Sequence, residues 1–311
     1  MDYPHKPVLL EEVIRNLVTD KNGLYVDGTV GTGGHSIELA NVLGEKGSLI
    51  CLDRDQDAIK LSSERLNFLE QSVKVIKANY RELDRVLSEL QIEGVNGVLL
   101  DLGMSSLQLE RSSRGFSFNR DEPLDMRMDS DEKMTAGYLV NNLSLREIET
   151  LLREYGEEKR AKTIARAIVR AREAKPIETS YQLATLIRGV SPPTYKSKGK
   201  HPATRAFQAL RIAVNNELEN LKIFLNKAPS FISEGGRLVV LSYHSLEDRI
   251  VKQAMAMWER GCICPHDLPV CVCDKKIVFK RIHKKGISPG ITEIKHNPRA
   301  RSAIMRVAER V

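Results

Sequence analysis

The chain has 311 residues and a formal net charge of +7 at pH 7, and 41% of its residues are hydrophobic. This length and composition suffice for two modest domains, or for one domain with a large insertion. No apolar run approaches the roughly 18 residues that cross a bilayer, and the first residues do not resemble a signal peptide. We therefore expect a cytoplasmic protein with no membrane segment, whose five cysteines are thiols or metal ligands rather than disulfides.

The positive charge is concentrated in two blocks. Residues 158–211 contain thirteen Lys or Arg against three acidic residues, net +10, and residues 275–311 contain eleven against two, net +9. The rest of the chain therefore carries a net charge of −12. Lys and Arg also solvate helix faces, but two basic blocks on an otherwise acidic chain favour a polyanionic partner such as nucleic acid.

Short apolar runs alternate with amphipathic stretches over the first hundred residues. This alternation is typical of a parallel sheet flanked by helices. The pattern predicts strands at 24–27, 48–53, 73–78 and 97–102, and helices at 36–43, 55–69 and 80–90.

After residue 103 the pattern changes to helices without intervening strands. Residues 105–131 show no clear period, and helices are predicted at 144–155, 157–175, 180–188 and 203–226. A strand at 237–243, a helix at 246–259 and strands near 277–282 and 303–308 then restore the earlier pattern. The sequence thus predicts an α/β domain made of residues 1–110 and 211–311, interrupted by a mostly helical domain at 111–210.

A glycine-rich turn follows the first predicted strand, with the sequence Asp27-Gly28-Thr29-Val30-Gly31-Thr32-Gly33-Gly34-His35. Glycines let the backbone approach a ligand, and a helix N-terminus offers amides to it. The turn lacks the Lys of a Walker loop and the third glycine of a dinucleotide fingerprint. It fits better the acid-x-Gly-x-Gly-x-Gly turn of S-adenosylmethionine enzymes, although Thr29 replaces the first glycine and a purely structural turn remains an alternative.

Three further positions follow the next strands. Asp53 ends the second strand, where a carboxylate can accept hydrogen bonds from the ribose hydroxyls of NAD and S-adenosylmethionine alike. Tyr80 follows the third strand, where its ring either contacts adenine or packs at a helix start. Asp101 ends the fourth strand, at the edge that faces the ligand crevice of an open parallel sheet.

Several long stretches carry a family resemblance, and they are residues 5–10, 27–35, 101–109, 114–118, 201–218, 242–252 and 297–302. They resemble the bacterial small-subunit ribosomal RNA methyltransferase H family, also called MraW, which methylates cytosine N4. The resemblance implies a class I, Rossmann-like methyltransferase fold that uses S-adenosylmethionine, with the inserted helical domain recognising the substrate. It also implies that the substrate is a decoding-site cytidine of 16S rRNA in the assembled small ribosomal subunit.

Carried over residue by residue, the resemblance implies cofactor contacts at Gly33, Gly34, His35, Asp53, Tyr80, Asp101 and Gln108. The lone pair of cytosine N4 is delocalised into the ring, so an acceptor for the amino hydrogens is expected to help the nitrogen attack. Asp101 and His244 are the candidate catalytic residues. The side chains expected to bind RNA phosphates are Arg205, Arg211, Arg299 and Arg301.

Four cysteines form two C-x-C pairs within twelve positions, Cys262 with Cys264 and Cys271 with Cys273. Thiolates at such spacing can bind zinc, but paired C-x-C is less diagnostic than paired C-x-x-C, so the sequence assigns no metal and leaves the question open. Two other functions remain alternatives, a nicotinamide dehydrogenase and a non-catalytic ribosome-assembly factor. No obligate protein partner is evident from the sequence.

Overall fold

The computed structural model describes residues 7–69, 72–110, 113–191, 201–264, 270 and 272–311. The chain divides into two compact units. Unit 1 comprises Met1–Gly103 and Leu218–Val311, and unit 2 comprises Met104–Glu217. The predicted bounds of the inserted domain, 111–210, lie seven residues inside each end of unit 2.

Unit 1 is built around a seven-stranded sheet with the order β3-β2-β1-β4-β5-β7-β6. Strands β1 to β5 are parallel, and β7 runs antiparallel to both β5 and β6. All seven predicted strands are present, so the prediction of a Rossmann-like α/β fold is confirmed. The strands are β1 Leu24–Asp27, β2 Ser48–Asp53, β3 Ser72–Lys77, β4 Val95–Asp101, β5 Ile232–Ser242, β6 Phe279–Arg281 and β7 Ile304–Arg310.

The direction in which strands are added to the sheet reverses beside β1. From β1 the chain continues to β2 and β3 on one side, and then crosses to β4 and β5 on the other side. Ligands of open parallel sheets bind outside the carboxyl ends of the strands at such a switch point. The carboxyl ends of β1 and β4 therefore mark the position where this fold binds a ligand.

Successive side chains of the central strands enter two hydrophobic cores, one on each face of the sheet. On β1, Tyr25 packs into one core and Val26 into the other, and Leu99 and Leu100 do the same on β4. Because helices cover both faces, the strands are apolar on both sides. This is why continuous apolar runs identified them in the sequence.

The helices of both units can be given together in chain order, and α5 to α10 belong to unit 2. Among the described residues, no helix has the length and hydropathy needed to cross a membrane. The helices are α1 Leu10–Leu17, α2 Gly34–Val42, α3 Gln56–Leu66, α4 Leu83–Glu89, α5 Ser106–Glu110, α6 Ala136–Asn142, α7 Leu145–Glu154, α8 Ala161–Ala174, α9 Ser180–Gly189, α10 Thr204–Asn215, α11 Glu217–Phe231, α12 Ser245–Trp258 and α13 Ile291–His296. Short 3-10 turns occur at Tyr80–Glu82 and Pro298–Ser302.

The prediction of a single helix at 203–226 is wrong. The structure has two helices, α10 and α11, and the residue that separates them, Asn216, has the left-handed angles φ 50° and ψ 35°. Asparagine tolerates this conformation better than most residues and often ends a helix. The apolar spacing continues across the break, as Val214 and Leu221 show, so periodicity alone could not reveal it.

Unit 2 is mostly helical and has a hydrophobic core of its own. Helices α6 to α10 contribute most of the core, and the segment before α6 adds Phe116 and Leu124. Two of its helices begin with a capping box, Ser144 with Glu147 for α7 and Thr179 with Gln182 for α9. Each box satisfies backbone donors that the first helical turn leaves without an acceptor.

A buried ion pair joins α10 to the first residue of α11. Arg211 Nε and Nη2 each lie 2.9 Å from one carboxylate oxygen of Glu217. The side chain of Arg211 is 10% exposed and that of Glu217 is 8% exposed. A bidentate pair of this kind satisfies two charges that are costly to bury singly.

We expect Arg211→Ala to destabilise the protein by about 3–5 kcal/mol, because it leaves the Glu217 carboxylate buried without its partner. The matched control is Arg205→Ala on the same helix, since Arg205 is exposed and surface changes usually stay within about 0.5 kcal/mol. Urea unfolding followed by circular dichroism measures both variants. Equal unfolding midpoints for the two variants would contradict the assignment of a stabilising role to the pair.

Candidate functional site

The turn after β1 is tied to the strands on both sides of it. Gly28 N donates to Leu99 O of β4 at 2.9 Å, and Val30 N donates to Leu52 O of β2 at 2.8 Å. A Cβ at Gly28 would lie 2.5 Å from Leu100 Cδ2, so a side chain has no space there. The turn is therefore fixed at the switch point of the sheet.

Two glycines of this turn have backbone angles that favour glycine. Gly31 has φ 51° and Gly33 has φ 80°, which a residue with a Cβ adopts only with strain. Gly33 is the N-cap of α2, and Gly34 and His35 are its first two residues. The positive end of the α2 dipole therefore lies beside the switch point, where it favours negative or hydrogen-bond-accepting ligand atoms.

Asp27 ends β1 and supports the turn from inside the protein. It is 1% exposed, and its carboxylate accepts hydrogen bonds from Ser36 Oγ at 2.6 Å and from Thr29 N at 3.1 Å. Burial raises the pKa of Asp27, and the hydrogen bond from Ser36 opposes that rise. Asp27 thus has its partners within the protein and organises the turn.

Asp53 ends β2 and is only partly buried. Its two oxygens accept hydrogen bonds from Gly31 N and Asp55 N, each at 2.9 Å. Burial raises the pKa of Asp53 to about 6. Because a carboxylate offers about four lone-pair positions, each oxygen can accept one further hydrogen bond. These two acceptor oxygens fit the two hydroxyl donors on the ribose of an adenosyl group.

Tyr80 begins the 3-10 turn that follows β3. Its ring meets that of Phe224 edge to face, with centroids 5.8 Å apart, and it packs against one of the two cores of unit 1. A Cβ at Gly28 would lie 3.2 Å from Tyr80 Cβ, which places Tyr80 beside the glycine turn. The structure therefore brings this aromatic ring to the switch point, and its contact with adenine stays a prediction.

Asp101 ends β4, and three neighbouring groups fix its position. Tyr243 OH donates to Asp101 Oδ1 at 2.6 Å, and Asp101 N donates to Thr29 Oγ1 at 2.7 Å. His35 Nδ1 lies 3.5 Å from Asp101 Oδ2. Sequence reasoning did not identify Tyr243 or Thr29 as site residues. The available signal was that Tyr243 follows β5 directly, at the same carboxyl edge as Asp101.

The His35 ring lies between Val8 and Asp101. His35 Nε2 lies 3.0 Å from Val8 O, which can only accept, so Nε2 carries a hydrogen. Burial raises the pKa of Asp101, while the charge of His35 and the hydrogen bond from Tyr243 lower it. Asp101 is still 26% exposed beside His35.

The structure gives His244 a structural role at the start of α12. His244 Nδ1 accepts a hydrogen bond from Glu247 N, and Glu247 accepts one from His244 N in return. Among the described residues, no atom makes a hydrogen bond of acceptable geometry to the buried His244 Nε2, although Glu247 Oε1 lies 3.2 Å away. A part for His244 in the reaction stays a prediction.

The remaining site residues divide between the two units. Gln108 belongs to unit 2, where it is buried and its Oε1 accepts from Ser105 N at 3.1 Å, and its cofactor contact stays a prediction. Arg299 and Arg301 are exposed in unit 1 on the 3-10 turn Pro298–Ser302. Arg205 is exposed in unit 2 and donates to Glu157 O.

The prediction that Arg211 binds RNA phosphate is corrected. Its guanidinium is buried and holds the carboxylate of Glu217, so a phosphate would have to displace an ion pair from the protein interior. Sequence alone could not separate it from Arg205, because both lie in one basic block.

Of the four C-terminal cysteines, three come together in unit 1. Cys262, Cys264 and Cys273 have their sulfur atoms within 4.8 Å of one another. Cys271 lies outside the described residues, as do His5 and Lys6 of the first family-like stretch.

Comparison with known proteins agrees with this geometry. A profile described as the MraW methylase family matches residues 2–311. Ribosomal RNA small subunit methyltransferase H of Halothermothrix orenii is 46% identical over 99% of this chain and 98% of its own length. The protein of that name from Caldicellulosiruptor saccharolyticus is 48% identical over 99% of this chain and 100% of its own length.

These matches confirm the predicted methyltransferase activity and the predicted methyl donor, S-adenosylmethionine. Because the matched family consists of methyltransferases, the alternatives of a nicotinamide dehydrogenase and of a non-catalytic factor are wrong. The glycine turn, the Asp53 acceptors and the Tyr80 ring at the switch point are chemically suited to that donor. With a family profile that spans nearly every residue, the chain belongs to the MraW methylase family.

Proposed function

We propose that this protein methylates N4 of a decoding-site cytidine in 16S rRNA of the small ribosomal subunit. Relatives at 46% and 48% identity are named as methyltransferases of small-subunit ribosomal RNA, and the basic blocks of the chain suit a polyanion. The observation that carries the proposal is the fixed position of Asp101 at the switch point, held by Tyr243 and Thr29 and adjacent to His35.

The cofactor is assigned to the turn and to the ends of β2 and β3. When bound, S-adenosylmethionine supplies a methyl group that its sulfonium already activates. Asp53 accepts hydrogen bonds from the ribose hydroxyls, and Tyr80 contacts the adenine. Gly33, Gly34 and His35 lie beside the methionine part of the donor. Gln108 is the remaining cofactor contact that we propose. Because the methyl group is activated, the main task of the protein is to place the nucleophile within about 3–3.5 Å and in line.

Asp101 is assigned to the amino group of the cytosine. Its carboxylate is held by Tyr243 OH at 2.6 Å and is still partly exposed, so it can accept a hydrogen bond from N4 without moving. That hydrogen bond increases electron density on the nitrogen as it attacks, and it gives the departing proton an acceptor. His244 remains a second candidate for this role.

A cytosine within a stacked helix cannot reach such a site. The target base is therefore unpaired or turned out of its helix, and its neighbours are held through their phosphates. We assign unit 2 to substrate recognition, with Arg205 contributing there. Arg299 and Arg301 contribute from unit 1 because they are exposed and lie in the C-terminal basic block.

Asp101→Asn is expected to lower kcat by about 10²–10⁴-fold, because the amide is a poor proton acceptor. Tyr243→Phe, which removes the hydroxyl that orients Asp101, should lower kcat by about tenfold, the equivalent of one hydrogen bond. Transfer of labelled methyl groups to small subunits that lack the modification measures both, and nuclease mapping identifies the modified nucleotide. Unchanged kcat for Asp101→Asn, or a label on another base, would refute the assignment.

The affinity for S-adenosylhomocysteine should fall as the pH decreases from 7 to 5. The Asp53 carboxyl has a pKa of about 6, and its charged form is the stronger acceptor for ribose hydroxyls. Affinity therefore increases with pH through about 6 and levels off near pH 7, where the carboxyl is almost fully ionised. Asp53→Asn should bind more weakly at pH 7 and lose this part of the pH dependence, as calorimetry would show. A wild-type and a mutant profile of the same shape would mean that another group titrates.

The double variant Arg299→Ala, Arg301→Ala should bind 16S rRNA more weakly and with a lower salt dependence. Removing one arginine that neutralises a phosphate lowers the magnitude of the slope of log K against log salt by about 1. The control is Arg85→Ala, an exposed arginine paired with Glu82 and Glu89 in an acidic part of the chain. Filter binding at several salt concentrations gives the slopes. If all three proteins have the same slope, these arginines do not contact phosphate.

A further inference from the structure

A thiol cluster lies in the connector between α12 and β6, which spans residues 259–278. Cys262, Cys264 and Cys273 come from two ends of this connector, and their sulfur atoms all lie within 4.8 Å of one another. The methyl-transfer site uses none of these three thiols.

The separation of the sulfur atoms distinguishes a metal site from a disulfide. Cys262 Sγ and Cys273 Sγ are 3.8 Å apart, whereas a disulfide bond is about 2.05 Å long. In tetrahedral zinc sites the Zn–S bond is about 2.3 Å, and this geometry places two sulfur ligands about 3.8 Å apart. The observed distance therefore matches two ligands of one ion.

Backbone amides point at each of the three sulfur atoms. Ile263 N donates to Cys273 Sγ, Cys264 N donates to Cys262 Sγ, and Val272 N donates to Cys264 Sγ, each at 3.4 Å. Such donors stabilise the negative charge of thiolates and orient metal ligands. The backbone is thus arranged to hold three thiolates together, which would otherwise repel one another.

The two ends of the connector are held together by contacts that do not involve the cysteines. The Trp258 and Phe279 rings lie 4.6 Å apart, Val278 N donates to Trp258 O, and Arg281 Nε donates to Glu259 at 2.7 Å. Between these ends, Val270 and Val272 are 70% and 72% exposed, so they contribute little to a core. Core packing by these two valines therefore does not explain how the three thiols come together.

We propose that Cys262, Cys264 and Cys273 bind a structural Zn²⁺ that cross-links the connector. Three soft thiolates favour zinc over magnesium or calcium, and zinc completes its tetrahedron with a fourth ligand such as water. Binding converts three thiols to thiolates and releases three protons to solvent, with no change of oxidation state. The three cysteines lie in a different part of unit 1 from the proposed methyl-transfer site. Failure of the zinc proposal would therefore leave the proposed function unaffected, and the reverse also holds.

The test uses the full-length protein without an affinity tag, purified under reducing conditions without chelator. Elemental analysis should find about one zinc per chain, and the triple variant Cys262→Ser, Cys264→Ser, Cys273→Ser should retain less than about a tenth of it. After removal of zinc by a chelator, added Co²⁺ should give the strong thiolate-to-cobalt absorption of a tetrahedral site. Cys51→Ala is the matched control, because Cys51 lies in β2 beside Ser36 and should leave the metal content unchanged.

A second measurement keeps the test independent of folding. Trypsin should cut after Arg260, Lys275 and Lys276 faster in the chelated protein and in the triple variant than in the zinc-loaded protein, while the rest of the chain is cut equally. The proposal is overturned if the wild-type protein takes up neither zinc nor cobalt in stoichiometric amount, or if the triple variant binds as much as the wild type. It is also overturned if mass spectrometry finds Cys262 and Cys273 joined in a disulfide under reducing conditions.

Discussion

The proposed methyl-transfer site depends on carboxylates at the ends of three adjacent parallel strands, and donors of the protein itself bind each carboxylate. Asp27, Asp53 and Asp101 end β1, β2 and β4, and amides or hydroxyls of the turn and of Tyr243 bind each of them. A buried carboxylate without such partners costs several kcal/mol. These hydrogen bonds offset the cost of burying three carboxylates close together at one edge of the sheet. They also fix the geometry of the glycine turn.

This concentration of acids explains why the site suits a positively charged donor. Burial raises the pKa of all three carboxyls, and the charge of Asp101 adds to the rise at Asp27. Groups that are reluctant to ionise together are stabilised in their charged form by a nearby cation. A sulfonium provides such a cation, and by linkage its binding favours ionised carboxylates. The electrostatics and the proposed chemistry of the site are thus consistent with each other.

The sequence identified the sheet well, for a physical reason. Strands covered on both faces are apolar throughout, so β1, β2 and β4 could be located almost to the residue, and their final acids could be placed at one edge. What periodicity could not show were features set by tertiary contacts. Tyr243 meets Asp101 only because β5 pairs with β4, and Arg211 is removed from the predicted phosphate contacts only because its guanidinium is buried against Glu217. The break at Asn216 likewise depends on one backbone angle that apolar spacing does not encode.

A count of Lys and Arg in the two basic blocks includes side chains that are bound to acidic groups of the protein itself. A count treats Arg205 and Arg211 alike, whereas the structure places one on the surface and the other in a buried ion pair. In the C-terminal block, Arg281 and Arg306 are bound to Glu259 and Asp248, so they neutralise acids of unit 1 rather than attract RNA. An arginine with an internal carboxylate partner adds little to the field at a distance, because the pair is nearly neutral. The charge available to a polyanion is therefore smaller than the net charge of the block.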